Sequence, residues 1–249
     1  MPQPQLAAAP VGRVNSCQSM GAVDGPGLRY VVFLQGCPLR CAYCHNPDTW
    51  EFGGGEETTV ESLLQKIRRC APYIKKEGGV TVTGGEPLAQ SEFVAALFAA
   101  LRAEGFHTAL DTAGAGSLAA ARAVLAHTDF LLADLKFTTE EEYRRCAGGS
   151  LAHTLEFLDL AREMGVPLWL RHVVVPGLTD DAQHAARFAA LCWRYENLQR
   201  VELLPFRKLC LEKYRAMGIP FLLEDTPEAG PEHLRALRAA LGKLAAPTS

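Results

Sequence analysis

Short apolar runs alternate along the chain with segments in which apolar residues recur every three or four positions. The runs, such as residues 80–82 and 130–135, are typical of buried strands. The segments between them, such as residues 59–76, carry one apolar face and are typical of helices that pack on a core. We predict a short β-like segment before Gly21, strands at 30–34, 80–82, 107–110, 130–135, 167–175 and 201–204, and helices at 59–76, 91–101, 118–126, 139–146, 151–163, 180–195 and 231–242.

This alternation predicts a parallel sheet with helical crossovers, and hence an α/β fold. Six such units can be counted from the strand at 30–34 onwards, whereas a closed barrel of this class needs eight. We therefore expect a single domain over residues 12–249 that forms a partial (β/α)6 barrel, with a flatter doubly wound sheet as the alternative. Residues 1–11, rich in Pro, Gln and Ala, are expected to form a flexible N-terminal tail.

The composition narrows the class of protein. Of the 249 residues, 48% are hydrophobic and 21% are charged, which is ordinary for a chain that buries a sizeable core. The formal net charge of -3 lacks the basic excess typical of nucleic-acid binding. No secretory signal and no membrane-spanning run is recognisable. We expect a cytoplasmic monomer that binds neither nucleic acid nor membranes.

Three cysteines lie together in the run C-P-L-R-C-A-Y-C-H-N, directly after a predicted strand: Cys37, Cys41 and Cys44. No fourth cysteine or obvious histidine completes the four-ligand set of a structural zinc site. Three thiolates on a cubane iron–sulfur cluster would instead leave one iron open to a substrate or cofactor. Eight cysteines in total could suggest disulfides, but such frameworks belong to small secreted domains, so the other five are expected to be buried and reduced.

Polar residues interrupt the apolar pattern at one recurring place, just after the predicted strands. Ligands bind at this edge of α/β sheets and barrels. The set comprises Gly85, Glu86, Asp111, Thr112, Asp134, Lys136, Arg171 and Arg207. Taken singly, most have a structural explanation as a turn glycine, a helix cap or a solvated charge. Arg171, inside an apolar strand, is harder to explain because an unpaired guanidinium is costly to bury.

Together these side chains suit a ligand that binds the open iron through an amine and a carboxylate. Lys136 and Arg171 suit the carboxylate, whereas Glu86 and the aspartates suit an ammonium group or ribose hydroxyls. Asp111 and Asp134 could also hold a monovalent cation together with backbone oxygens.

The spacing C-x-x-x-C-x-x-C, with an aromatic residue before the third cysteine, resembles the signature of the radical S-adenosylmethionine (SAM) superfamily. Within it, the chain is most similar to the pyruvate formate-lyase activating enzymes. The resemblance covers nearly the whole chain after the tail. It is carried by V-D-G-P-G-L-R (23–29), F-L-Q-G-C (33–37), C-A-Y-C-H-N-P-D-T-W (41–50), T-G-G-E (83–86), H-T-A-L-D-T (107–112), D-L-K (134–136), W-L-R-H-V-V-V-P-G (169–177) and E-L-L-P-F (202–206).

The resemblance implies a 4Fe–4S cluster on the three cysteines, with SAM on the fourth iron. Reductive cleavage of SAM would yield a 5'-deoxyadenosyl radical that takes hydrogen from a glycine of a glycyl radical enzyme, most closely pyruvate formate-lyase. A flavodoxin or ferredoxin would supply the electron.

By position, the resemblance also assigns roles to individual residues. Lys136 joins the cysteines as a catalytic residue, and the residues at SAM are Tyr43, His45, Gly85, Glu86, Asp134, Leu135, Lys136 and Arg171. The matching monovalent-cation site, for Na+ or K+, consists of Asp111, Thr112, Asp134 and the Leu132 carbonyl. Asp24 belongs to the loop that meets the glycine-bearing peptide.

Three positions depart from the family pattern. Ala113 stands where an asparagine is usual, Cys210 where a glycine is usual, and Arg207 where a histidine commonly touches the adenosine. We predict that Arg207 replaces that contact at a ribose hydroxyl or the adenine edge.

Other functions fit part of the pattern. A radical SAM enzyme could act on a small molecule, although the chain shows no additional substrate domain or second cysteine cluster. A non-enzymatic iron–sulfur electron carrier would have no use for the charged residues around an open iron. A zinc-binding interaction module would require a fourth ligand.

Overall fold

Eight strands form one sheet in the computed structural model, which describes residues 10–245 of the chain. In chain order the strands are β1 (Val11–Gly21), β2 (Arg29–Leu34), β3 (Glu56–Thr59), β4 (Gly79–Gly84), β5 (Thr108–Thr112), β6 (Phe130–Asp134), β7 (Leu168–Val174) and β8 (Leu198–Pro205). Their order across the sheet is β3-β1-β2-β4-β5-β6-β7-β8. The strand β1 pairs antiparallel with both β2 and β3, and all pairs from β2 to β8 are parallel.

Helices connect the parallel strands. They are α1 (Val60–Ile74), α2 (Ser91–Ala103), α3 (Leu118–Leu125), α4 (Glu140–Ala147), α5 (Leu151–Glu163), α6 (Ala182–Cys192), α7 (Leu211–Met217) and α8 (Arg235–Leu241), with short 3-10 helices at Pro47–Thr49, Pro87–Gln90 and Gly242–Leu244. Five of the helices begin after a side chain that accepts a hydrogen bond from a free backbone N–H, and these caps are Thr59, Ser117, Thr139, Ser150 and Asp181. No helix among residues 10–245 is long and apolar enough to cross a membrane.

The six parallel strands follow one another across the sheet in chain order. A doubly wound sheet requires a reversal of that order, so the alternative architecture is wrong. The sheet does not close, because β3 and β8 remain at its two edges. The structure therefore confirms a single-domain α/β fold of the partial-barrel type.

The two faces of the curved sheet differ in chemistry. The outer face packs on the helices with side chains such as Val82, Leu110 and Leu170, which belong to the main hydrophobic core. The inner face holds a small separate cluster of Ala109, Phe130 and Leu132, with Trp169 packed against it. Strand alternation places the polar residues Asp111, Asp134 and Arg171 on this inner face, towards the carboxyl ends of the strands.

Several elements differ from their predicted form. Of the predicted tail, residues 1–9 lie outside the described residues, and Val11 already belongs to β1, where it pairs with Thr59. The edge strand β3 and the helix α7 have no counterpart among the predicted elements. Each is too short, at 4 and 7 residues, to show a periodicity.

Candidate active site

A cavity of about 330 Å³ opens where the carboxyl ends of the parallel strands meet. Of the residues predicted for the site, only Leu132 and Leu135 are not part of its lining. Those that line it are Asp24, Cys37, Cys41, Tyr43, Cys44, His45, Gly85, Glu86, Asp111, Thr112, Asp134, Lys136, Arg171 and Arg207. The structure thus brings together side chains from segments as far apart as residues 24 and 207.

The cysteine loop leaves β2 and forms one wall of this cavity. Cys41 is buried, while Cys37 and Cys44 are half-buried. The backbone N–H of Cys37 donates to the Trp50 carbonyl at 3.2 Å, and that of Asn46 donates to Cys44 Sγ at 3.4 Å. An N–H bond to sulfur stabilises thiolate character and is one of the means by which proteins tune iron–sulfur clusters.

Neighbouring elements hold the cysteine loop from outside. The N–H groups of Arg40 and Ala42 donate to carbonyls at the end of α4, each at 2.8 Å. On the other side, α7 directs the Tyr214 hydroxyl to the Cys44 carbonyl at 3.2 Å. Lys213, on the same helix, bonds Asp48 at 2.9 Å. The thiols are therefore fixed on a rigid support.

The donor set fits a cluster better than a single ion. Across residues 10–245, no three His, Cys, Asp or Glu side chains are arranged to hold one metal ion together. A cubane needs no such convergence, because each thiolate binds a different corner. Burial raises the pKa of Cys41 to about 12 and that of Cys37 to about 11, so binding a metal centre must displace their protons.

Four charged side chains form a network in the same cavity as the cysteines. The register pairs Asp134 on β6 with Arg171 on β7, and Arg171 Nε lies 3.2 Å from Asp134 Oδ1. Arg171 Nη2 also bonds Asp111 Oδ1 on β5. Lys136 Nζ lies 3.0 Å from Asp134 Oδ2, and Thr83 donates its hydroxyl to Asp111 at 2.9 Å.

The two acids and two bases of this network balance in formal charge. Burial alone would raise the pKa of Asp134, but Lys136 and Arg171 lower it below its usual value. The aspartates in turn raise the pKa of both cations despite burial. For Asp111, burial outweighs Arg171 and raises the pKa. The guanidinium of Arg171 thus joins the two carboxylates that were predicted as cation ligands.

The Glu86 carboxylate, which lines the cavity as predicted, also has a structural role. It is 1% exposed and accepts bonds from the N–H groups of Leu88 (3.0 Å), Ala113 (3.0 Å) and Ala115 (3.4 Å) and from the Thr112 hydroxyl (2.5 Å). Four donors saturate a carboxylate. The Glu86 side chain therefore joins the loops after β4 and β5.

Gly85 has no room for a side chain. A Cβ at this position would lie 2.2 Å from the Gly36 carbonyl oxygen, beside the cysteine loop. The Gly85 N–H donates to the Leu34 carbonyl at 2.8 Å, and the Glu86 N–H donates to the Gly36 carbonyl at the same distance. The G-G-E turn thereby fastens the end of β4 directly to the start of the cysteine loop.

Aromatic and basic residues form the rest of the rim. The Lys136 ammonium lies 6.0 Å from the centre of the Tyr43 ring, within the range of a cation–π contact. His45 Nε2 lies 2.9 Å from the Arg207 carbonyl. The Arg207 guanidinium donates to the Ala229 carbonyl at 2.6 Å, so this side chain already supports a neighbouring loop while it lines the cavity.

A buried histidine pair supports the D-L-K segment from behind. His172 Nδ1 donates to the Leu135 carbonyl at 2.7 Å, and the two Nε2 atoms of His172 and His184 lie 3.1 Å apart. His184 Nδ1 lies 3.3 Å from the Thr138 hydroxyl, which accepts from Arg187 Nε at 2.9 Å. Since the Leu135 carbonyl can only accept, His172 Nδ1 carries a hydrogen. Burial lowers the pKa of both histidines and so favours neutral rings, in which case the shared hydrogen lies on His184 Nε2.

Comparison with known proteins decides the family. The model of the "Radical SAM superfamily" matches residues 31–189. A "Pyruvate formate-lyase-activating enzyme" of Clostridium pasteurianum is 42% identical over 235 residues, which cover 94% of this chain and 98% of the relative. One of Staphylococcus epidermidis is 39% identical over 90% of this chain and 92% of the relative. The chain belongs to the radical SAM superfamily, in the family of the pyruvate formate-lyase-activating enzymes.

Solved structures agree on the fold. A domain of a pyruvate-formate lyase-activating enzyme from Bacteroides vulgatus superposes with a TM-score of 0.57 at 20% identity, covering 68% of this chain and 98% of that chain. A radical SAM methyltransferase from Sphaerobacter thermophilus gives 0.60 at 15% identity, covering 88% and 65%.

Family membership makes the chain a radical SAM enzyme of the activating type, with the 4Fe–4S cluster and SAM that this family implies. It excludes the electron carrier and the zinc module. The chemistry of the three thiols agrees with that membership.

Some residues that shape the site were missed by sequence reasoning. Tyr214 and Lys213 lie on α7, which was not predicted, and Trp50 packs edge-on against Tyr214 at 5.9 Å. The glycine that ends α7 in the left-handed conformation, Gly218, is the signal that could have marked this helix. The bond of His172 to the Leu135 carbonyl was not foreseen either.

Replacing His184 by Gln should flatten the pH dependence of stability. Burial lowers the pKa of His172 to about 3 and that of His184 to about 4. In the unfolded chain both take up protons below roughly pH 6.5. The unfolded state therefore binds more protons between these values, and the free energy of unfolding falls as the pH falls through that window.

Removing one of the two titrations should reduce that slope by up to about 1.4 kcal/mol per pH unit. Urea unfolding at several pH values between roughly 4.5 and 6.5, above the range where most carboxylates titrate, measures it. Equal slopes for the wild type and His184→Gln would show that the pair is not held neutral.

Proposed function

We propose that this enzyme generates a glycyl radical in a partner enzyme, with its cluster on Cys37, Cys41 and Cys44. The cluster and SAM, when bound, supply a one-electron cleavage that produces a radical able to take hydrogen from a glycine Cα. The observation that carries the proposal is the shared cavity, in which three thiols face a balanced network of charges. The proposal accounts for both features at once.

In this proposal the charge network receives the amino-acid part of SAM by exchange of partners. A zwitterion brings one carboxylate and one ammonium group. The SAM carboxylate can accept hydrogen bonds from Arg171 and Lys136. The SAM ammonium group can then donate to the Asp134 oxygens that these two cations have left. The incoming charges replace the internal partners of Asp134, Arg171 and Lys136, so Asp111 is the one member of the network left to find a new partner.

The rim residues then position the remaining parts. The Tyr43 ring and Lys136 close one side, while the Leu135 backbone is held in place by His172. Arg207 is placed to reach the adenosine once its bond to Ala229 is exchanged, as the family resemblance suggests. The sheet does not close, and the gap between its two edges would give an extended peptide an entrance.

Asp24 supports a peptide substrate in particular. It lines the cavity, and burial raises its pKa although Arg171 and Arg29 act to lower it. Its carboxylate can accept the N–H of a peptide that enters from the open side. A glycine suits this place, since it has no side chain to hinder close approach of the backbone.

We further propose that the partner is pyruvate formate-lyase, because the relatives at about 40% identity carry that name. A flavodoxin or ferredoxin is the proposed reductant, and a cytoplasmic monomer is the proposed working form.

A monovalent cation completes the proposal. When Arg171 turns to the SAM carboxylate, Asp111 loses its guanidinium partner, and a cation beside Asp111 and Asp134 would restore the balance of charge. SAM affinity should then rise with the concentration of Na+ or K+, and this dependence should be lost in Asp111→Asn. Titration of SAM in salts of tetramethylammonium, Na+ and K+ measures it; equal affinity in all three would remove the cation from the account.

The central test uses the reconstituted enzyme without oxygen, with dithionite, SAM and pyruvate formate-lyase. A doublet typical of a glycyl radical should appear in the electron paramagnetic resonance spectrum, and 5'-deoxyadenosine should form in equal amount. A partner whose radical-bearing glycine is replaced by alanine is the matched control and should give no such doublet. Cleavage of SAM without any signal on the partner would contradict a protein substrate.

A further inference from the structure

Arg29 is a fully buried cation without an acidic partner. Its side chain is 0% exposed at the start of β2. Within residues 10–245, Asp24 and Asp129 attract it only from beyond ion-pair distance, and burial lowers its pKa to about 10. A buried guanidinium without a carboxylate is costly, so hydrogen bonds to neutral groups must offset the free energy of its burial.

The donors of Arg29 reach three segments, namely β4, the loop before β2, and His107 ahead of β5, whose carbonyl lies 3.3 Å from one terminal nitrogen. Nε donates to the Thr81 hydroxyl at 2.5 Å, and one terminal nitrogen donates to the Val80 carbonyl at 2.8 Å, both on β4. The other terminal nitrogen donates to the Pro26 carbonyl at 3.0 Å. The Thr81 hydroxyl passes its own hydrogen to the Asp24 carbonyl at 2.7 Å.

These bonds hold the loop of residues 22–28 against the inner face of the sheet. Arg29 binds Pro26 directly and Asp24 through Thr81, so the backbone on either side of Gly25 is fixed. A Cβ on Gly25 would lie 3.4 Å from the Leu132 side chain on the inner face. The loop therefore packs against the inner face of the sheet beside Leu132, and its Asp24 lines the cavity.

We propose that Arg29 and Thr81 are positioning residues that set where Asp24 meets the glycine-bearing peptide. The inference rests on the proposed function. The hydrogen bonds of Arg29 and Thr81 reach the Asp24 loop but none of the cysteines or of the SAM-facing network. Their loss should therefore affect the peptide and not SAM. A misplacement of about 1 Å is enough to lower hydrogen transfer strongly.

Thr81 offers the sharper experiment because its two conservative variants separate the hydroxyl from the methyl group. Thr81→Val keeps the shape and removes both hydrogen bonds, whereas Thr81→Ser keeps the hydroxyl. Thr81→Val should raise the KM for a peptide that carries the partner's glycine by up to about tenfold, and Thr81→Ser should stay near the wild type. The Kd for SAM and the peptide-independent cleavage of SAM should be equal in all three.

Thr108→Val is the matched control. Thr108 is equally buried on the neighbouring strand, but its hydroxyl bonds His127 and Asp129 and not the Asp24 loop. It should leave the KM for the peptide unchanged. A purely packing role of Thr81 would make Thr81→Ser worse than Thr81→Val, and that order would overturn the inference.

Hydrogen exchange gives a readout that does not depend on the peptide. Thr81→Val should speed the exchange of backbone amides at residues 22–28 and leave the cysteine loop as protected as before. If the wild-type enzyme produces no glycyl radical in any partner, the proposed function fails. The exchange rates of residues 22–28 then still decide whether Thr81 holds the loop. Unchanged exchange in Thr81→Val would refute the inference even if the enzyme makes its radical.

Discussion

The site depends on four charges that neutralise one another where three parallel strands end. Asp111, Asp134 and Arg171 stand on adjacent strands, and Lys136 follows at once. Removing a single member would leave an uncompensated charge in a buried place, at a cost of about 3–5 kcal/mol. In the proposed function the same network receives a zwitterion, whose carboxylate and ammonium group replace the internal partners of Asp134, while a monovalent cation replaces Arg171 at Asp111. Stability without a ligand and affinity for it thus arise from one arrangement.

The other parts of the site are supports for this centre. On one side, α4 and α7 hold the cysteine loop through its backbone, and the turn around Gly85 fastens that loop to β4. From behind, the neutral pair of His172 and His184 holds the carbonyl of Leu135. From below, Arg29 holds the loop that carries Asp24. Each support acts through hydrogen bonds to main-chain oxygens or N–H groups, so the positions of the reacting groups are set by the backbone.

The parallel fold and most of the site could be predicted because each rests on a local pattern. Apolar runs marked the strands, and polar residues such as Asp111 and Arg171 stood where strands end, which is one place in any parallel sheet. What the chain does not reveal locally is the partner of each side chain. Glu86 carries the charge expected of a ligand-binding residue, yet it accepts hydrogen bonds from its own loop at Leu88 and from Thr112, Ala113 and Ala115 in the segment after β5. Arg29 and the helix of Tyr214 act across long sequence separations, for which no periodicity gives a signal.

Whether SAM binds beside the cluster through its amine and carboxylate is measured most directly by electron–nuclear double resonance. The sample is the reduced cluster with SAM labelled with 15N in its amine and 17O in its carboxylate. We expect magnetic coupling of both labels to the cluster, because in the proposed function the open iron would lie in the same cavity as the charge network. We also expect that Cys41→Ala, which leaves two thiolates, assembles no cluster and shows neither coupling. If the wild-type cluster assembles but shows coupling to neither label, SAM does not bind at the cluster and the proposed site is wrong.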